Sequence, residues 1–176
     1  RRRVLGDTHP ATLSSIMDMS RLLYWRGKYA EAKPYCDETL ASCRETLGDE
    51  HPLTIWATFY VGRLLLAEEN YNEAEPLLLT ALETSRRIYG NEHNATMFFC
   101  GHMSEFYMAQ GQYEKAEAYY KEGVETCQRL LGEGNAQTLW LTWGLGTVRA
   151  KQGRLDEAES LFLTALEGQH KVLADD

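Results

Sequence analysis

Leu5-Gly6-Asp7-Thr8-His9-Pro10-Ala11-Thr12-Leu13 reads again as Leu47-Gly48-Asp49-Glu50-His51-Pro52-Leu53-Thr54-Ile55. A looser version runs from Tyr89-Gly90 to Thr96-Met97, and another from Leu131-Gly132 to Thr138-Leu139, each step being 42 residues. A second motif keeps the same step. Gly27-Lys28-Tyr29-Ala30-Glu31-Ala32 is followed by Glu69-Asn70-Tyr71-Asn72-Glu73-Ala74, by Gly111-Gln112-Tyr113-Glu114-Lys115-Ala116 and by Gly153-Arg154-Leu155-Asp156-Glu157-Ala158. Two motifs in lockstep without insertion are the signature of a repeat architecture, in which each unit buries its apolar face on the next.

The motifs punctuate helices. Gly6, Gly48, Gly90 and Gly132 suit the left-handed residue past a helix end. Arg44, Arg86, Arg87 and Arg129 precede them, where cations complement the helix dipole. Pro10 and Pro52 fit the first turn of the next helix. Gly27, Gly111 and Gly153 mark a tight turn within each unit. The pattern predicts helix A over about Thr12–Arg26 and helix B over about Ala30–Leu47, four times over. Ala32, Ala74, Ala116 and Ala158, with Thr39, Ala81, Gly123 and Ala165 seven residues on, let the paired helices approach; Leu40, Leu82, Val124 and Leu166 fill beside them. The predicted units are 9–50, 51–92, 93–134 and 135–176, in one repeat domain over 1–176. Residues 1–8 read as the end of a preceding helix B. Both ends share one phase and lack a polar capping helix, which predicts a longer parent array.

With these residues in view, the chain resembles the tetratricopeptide repeats of the kinesin light chain type, with L-G-x-x-H-P-x-T opening helix A and G-x-Y-x-E-A opening helix B. Ala32-Lys33-Pro34 and Ala74-Glu75-Pro76 complete the second motif, and Ala118 and Ser160 replace its proline later. The resemblance implies an all-α, right-handed solenoid of antiparallel helix pairs, with A helices lining a concave groove that holds peptides. Where that family carries paired asparagines that grip a peptide backbone, this sequence has Met17-Asp18, Phe59-Tyr60, Gly101-His102 and Trp143-Gly144. Similar repeats also sit beside nucleotide-binding or kinase domains, so an alternative function is a sensor or autoinhibitory segment of a larger signalling NTPase or kinase.

With Ala32 aligned to the family's first small helix-B position, the resemblance implies which face of each helix A lines the groove. All four tryptophans, Trp25, Trp56, Trp140 and Trp143, fall on it. The predicted peptide-binding residues are Arg21, Tyr24, Trp56, Phe59, Tyr60, Arg63, Phe98, His102, Trp140 and Trp143. An aromatic strip in water marks a binding surface, and Arg21 and Arg63, one repeat apart, suit an acidic ligand group. Gly101 and Gly144 would leave room for a bulky one. The same aromatics can instead pack within the array, and both readings stand at this point.

Composition narrows the partners. A net charge of -8 disfavours nucleic acid and anionic membrane surfaces, and no apolar run approaches a membrane span. Cys36, Cys43, Cys100 and Cys127 show no metal or secreted-disulfide spacing and read as thiols of a cytoplasmic protein. His9, His51 and His93 recur with the period and read as structural. No nucleophile, metal cluster or phosphate loop is present, so the expectation is a non-enzymatic scaffold for a protein or peptide, without cofactor or metal.

Overall fold

The computed structural model of the chain describes residues 6–174, with side chains as far as Lys171. These residues form eight helices: α1 (Pro10–Trp25), α2 (Tyr29–Leu47), α3 (Pro52–Ala67), α4 (Tyr71–Tyr89), α5 (Asn94–Ala109), α6 (Tyr113–Leu131), α7 (Ala136–Lys151) and α8 (Leu155–Ala174). The chain divides into two compact units, 1–88 and 89–176. The preceding helix expected over residues 1–8 falls mostly outside the described residues.

Helix A begins two residues earlier than the pattern predicts, and the histidines are the reason. His9, His51 and His93 are N-caps: each Nδ1 accepts the backbone N–H two residues on, at 3.1, 3.2 and 3.2 Å. In the last copy Asn135 does the same through Oδ1, at 2.9 Å. Each cap satisfies a helix donor that would otherwise lack a partner, worth about 1 kcal/mol. Gly48 and Gly132 just before these caps have φ 81° and 84° with ψ 167°. That is not the left-handed helical region expected from sequence, but a region open essentially to glycine alone. The carbonyls of Gly48 and Gly90 then accept from the Thr54 and Thr96 hydroxyls, at 2.7 and 2.9 Å.

The A-to-B turn is the same in all four copies. Lys28, Asn70, Gln112 and Arg154 donate their backbone N–H to Leu23, Leu65, Tyr107 and Arg149, at 2.8–2.9 Å. This is a Schellman closure, and it needs a positive φ at the residue before the donor. Gly27, Gly111 and Gly153 supply it; in the second copy Glu69 takes φ 58° without being glycine.

In the first unit α1 packs on α2 and α3, and α2 on α3. A Cβ at Gly62 of α3 would stand 2.9 Å from Leu78 of α4, so the missing side chain lets those helices close. In the second unit α5 packs on α6 and α7, α6 on α7, and α7 on α8. Ala32, Ala74, Ala116 and Ala158 are all buried, as the need for close approach requires. Leu40, Leu82 and Val124 are buried beside them, whereas Leu166 is exposed, because among the described residues no further hairpin covers it.

A charged knot ties the second unit. Arg149, its side chain only 6% exposed, stands where the other copies place Leu23, Leu65 and Tyr107. Its Nη2 meets Glu117 at 2.8 Å and its Nη1 meets Glu157 at 3.3 Å. Glu117 also takes Lys121 at 3.0 Å, Arg154 at 3.3 Å and Gln152 Nε2 at 2.9 Å. Burial alone would raise the Glu117 carboxyl, but hydrogen bonds from Gln152 and Lys121, with the charges of Lys121 and Arg154, outweigh it and hold the carboxyl below its ordinary range.

Candidate functional site

In the first unit the A helices α1 and α3 bring together five of the predicted residues, Arg21, Tyr24, Trp56, Tyr60 and Arg63. The Arg21 guanidinium lies 5.1 Å from the Trp25 ring centroid and 5.6 Å from that of Tyr60, and it pairs with Asp18 at 3.2 Å. Arg63 lies 5.5 Å from the Tyr24 ring and donates from Nη2 to the Tyr24 hydroxyl at 2.9 Å. Trp56 stacks on Tyr60 at 6.1 Å, one helical turn apart. Two cations thus lie on a bed of half-buried rings, with Trp25 at its edge 68% exposed. Such cation–π contacts are worth about 0.5–1 kcal/mol each where exposed. They hold the guanidiniums beside the rings, where Arg21 also meets the Asp18 carboxylate and Arg63 the Tyr24 hydroxyl. Burial pushes the Tyr60 phenol up, although Arg21 and Arg63 both pull it down; the hydroxyl sits in the field of both cations.

Phe59 departs from the expectation. At 2% exposure it belongs to the core, edge-on to Trp56 at 5.8 Å and to Tyr60 at 5.2 Å. A helix face assigned by alignment includes residues near its margin, and Phe59, like Met17 one repeat earlier, falls on the inner side.

In the second unit α5 and α7 bring Phe98, His102 and Trp140 into one cluster. Phe98 stacks on Trp140 at 5.9 Å and meets His102 edge-on at 4.3 Å; His102 lies 5.1 Å from Trp140 and its Nδ1 meets Glu105 at 2.8 Å. Trp143 points elsewhere, 6.2 Å from Phe162 and 56% exposed. The room expected at the two glycines is already taken. A Cβ on Gly101 would stand 2.5 Å from Trp140 Cζ3, nearer still to Cη2, and 2.8 Å from Leu141. One on Gly144 would strike the Tyr120 ring, 2.7 Å from its hydroxyl. Gly101 is therefore a seat for Trp140, and Gly144 a seat for Tyr120; neither is a vacancy for a ligand. The sequence shows both partners of each pair, but periodicity within one helix does not match a missing side chain to a ring on the next.

Among the described residues no group of three or more His, Cys, Asp or Glu gathers to hold a metal, and no helix is long and apolar enough to cross a membrane. Cys36, Cys43, Cys100 and Cys127 are buried and in no disulfide. Burial raises Cys36 and Cys43 and pushes Cys127 up to about 11, the opposite of what a nucleophile needs.

Paired helices on a constant period, with short turns and an A-helix face rich in rings, define an all-α helical repeat of the solenoid class. The chain belongs to the tetratricopeptide repeat family, whose model matches residues 12–87 and 95–169. Repeats of this family are in general protein-interaction scaffolds, and the fold is typically non-catalytic. Similar solved structures include the Q17M form of the nearly identical TPR-like repeats of a kinesin light chain-like protein from Podosopora anserina, 23% identical over 98% of this chain and 81% of that one, TM-score 0.79. BtubC (BKLC) from P. vanneervenii is 22% identical over 92% of this chain, TM-score 0.78, and the match covers 63% of its own length. A second Podosopora anserina structure is 22% identical over 97% of this chain and 81% of that one, TM-score 0.75. The kinesin light chain-like character expected from the two motifs is thereby borne out at the level of fold. No curated protein matches the chain.

Proposed function

We propose that the chain is a scaffold that binds a peptide segment on the A-helix surface of its first unit, the segment presenting an aromatic or large apolar side chain beside a carboxylate. One observation supports the reading: Arg21 and Arg63, two cations of a strongly acidic chain, lie within 5.1–5.6 Å of the ring centroids of Trp25, Tyr60 and Tyr24. Guanidiniums held in this way are prepared for a carboxylate, and the rings around them for an apolar anchor. Phe98, His102 and Trp140 of the second unit contribute a second aromatic cluster, and Trp143 stands apart from it beside Phe162. A protein partner suits the acidic chain better than nucleic acid or a membrane surface, and four buried thiols suit a cytoplasmic setting.

The test is fluorescence polarisation with labelled peptides, one series pairing Trp or Leu with Asp or Glu, the other pairing them with Lys. Acidic peptides should bind with an affinity that falls as salt rises. Arg21→Ala/Arg63→Ala should weaken them about 10–100-fold, in line with two charge-assisted contacts. Trp56→Ala/Tyr60→Ala should weaken both series, with helical circular dichroism unchanged. Equal binding of the lysine series, or indifference to the arginine substitutions, would refute the reading.

A further inference from the structure

Arg21 carries its own counterion. Its guanidinium lies beside the Trp25 and Tyr60 rings, and among the described residues the one acceptor it meets is Asp18, whose Oδ1 stands 3.2 Å from Nη1. The contact is single and open. The Asp18 side chain is 62% exposed, and the buried Nε of Arg21 makes no hydrogen bond. An exposed pair one turn apart on a helix is weak, because water screens both charges and two side chains must be held still.

At Arg63 the arrangement differs. The residue one turn before it is Tyr60, a phenol, and its Nη2 donates to the Tyr24 hydroxyl. The three charges act together on Tyr60: burial first pushes its phenol up, Arg21 and Arg63 pull it down, and Asp18 pushes it up again. Tyr60 is also the residue in phase with Asp18. It stays half-buried although a hairpin precedes it, so this position opens onto the A-helix surface.

A carboxylate arriving at Arg21 therefore finds another already there. It can use the donors that Asp18 leaves, but two acids then share one guanidinium, and like charges so close repel. It can displace Asp18 instead, which puts a hydrated carboxylate beside the bound one. In both cases the negative charge of Asp18 stays within reach of the ligand. A cation next to the ligand's carboxylate removes the conflict, since it pairs with Asp18 while the carboxylate pairs with Arg21.

We propose that Asp18 sets the selectivity of the first unit's A-helix surface: it disfavours a plainly acidic segment and favours one in which Lys or Arg adjoins the Asp or Glu. This selectivity rests on the peptide-binding reading and narrows the class of peptide taken there. The net charge of -8 attracts a cation at longer range as well, so the local part is isolated by substitution at Asp18.

Fluorescence polarisation on the full chain, with two labelled peptides in which Trp-Asp is followed by Ser or by Lys, provides the test. In wild type the lysine peptide should bind about 2–10-fold more tightly. Asp18→Asn, with circular dichroism unchanged, should strengthen the serine peptide about 2–5-fold and narrow the difference between the two. Asp18→Lys should reverse their order. Arg21→Ala should weaken both. Equal affinities in wild type, or an Asp18→Asn chain that binds the serine peptide no better, overturn the selectivity and leave the peptide-binding reading in place. A wild-type chain that binds neither peptide overturns both.

Discussion

Replacing Gly101 by alanine tests whether Trp140 serves packing or a ligand. A Cβ at Gly101 stands 2.5 Å from Cζ3 of Trp140 and 2.8 Å from Leu141 Cδ2, where carbon–carbon contact needs about 3.5–4.0 Å. Leu141 can rotate its methyl away, but an indole cannot bend, so the ring must shift by about 1 Å against Phe98 and His102, which contact it at 5.9 and 5.1 Å. Overpacking of this kind costs about 1–3 kcal/mol. Alanine returns about 1 kcal/mol in helix propensity, so the net loss should be about 0–2 kcal/mol. In a Trp140→Ala background the obstacle is gone and the sign should reverse, Gly101→Ala becoming stabilising by up to about 1 kcal/mol. The coupling between the sites is then about 1–3 kcal/mol. Urea unfolding followed at 222 nm for the four chains of the cycle measures it. Additive effects, or a stabilising Gly101→Ala in the wild-type background, would show that the ring does not sit on Gly101, and Trp140 would return to the list of open ligand contacts.

Arg149→Leu restores the side chain of two other copies and leaves Glu117 with Lys121, Arg154 and Gln152; its stability should lie within about 1 kcal/mol of wild type or above it. Glu117→Ala leaves the buried Arg149 guanidinium with Glu157 alone and should cost up to about 3 kcal/mol, both read from urea midpoints. Because the folded Glu117 carboxyl titrates below its unfolded value, the stability it contributes is complete above that value and is lost as pH falls through the folded one. The gap between wild type and Glu117→Gln should therefore narrow as pH falls below the ordinary carboxylate range. Glu69→Gly relieves a positive φ of 58° and should raise stability by about 0.5–1 kcal/mol, the strain relieved less the entropy of glycine. The four thiols should resist an aromatic disulfide reagent at pH 8 in the folded chain and react in full in urea.

Much of the architecture is written in residues whose roles are local. Glycines at the turns and small residues on helix B state their backbone geometry or their need for close approach wherever they occur, and the recurring histidines announce a fixed turn. What escapes is the kind of fact that needs two helices at once. His9 shows that a turn exists; only its ring position shows an N-cap. Glu69 breaks the glycine pattern, yet the turn closes as in the other copies, since one residue strained by about 1–2 kcal/mol is carried by the packing around it. Arg149 reads as an exposed cation by type and is buried, because Glu117, on the helix before, supplies the countercharge.

The aromatic face shows the same limit, with a consequence for function. Alignment by period gives four tryptophans one azimuth, as though they did one job. The structure separates them. Trp140 has spent much of its ring on Gly101, Phe98 and His102; Phe59 has gone inside; Trp56 shares its face with Tyr60; Trp25 and Trp143 remain wet. A ligand gains most from surface that is still hydrated and held in place beforehand. That places the greater part of any binding energy on the first unit, where Arg21 and Arg63 already lie on rings and an incoming carboxylate finds its donors fixed. Alanine at Trp140 should therefore cost more stability than affinity, and alanine at Arg21 the reverse. If Trp140→Ala abolished peptide binding while the melting temperature stayed put, the assignment of the two surfaces would have to be exchanged.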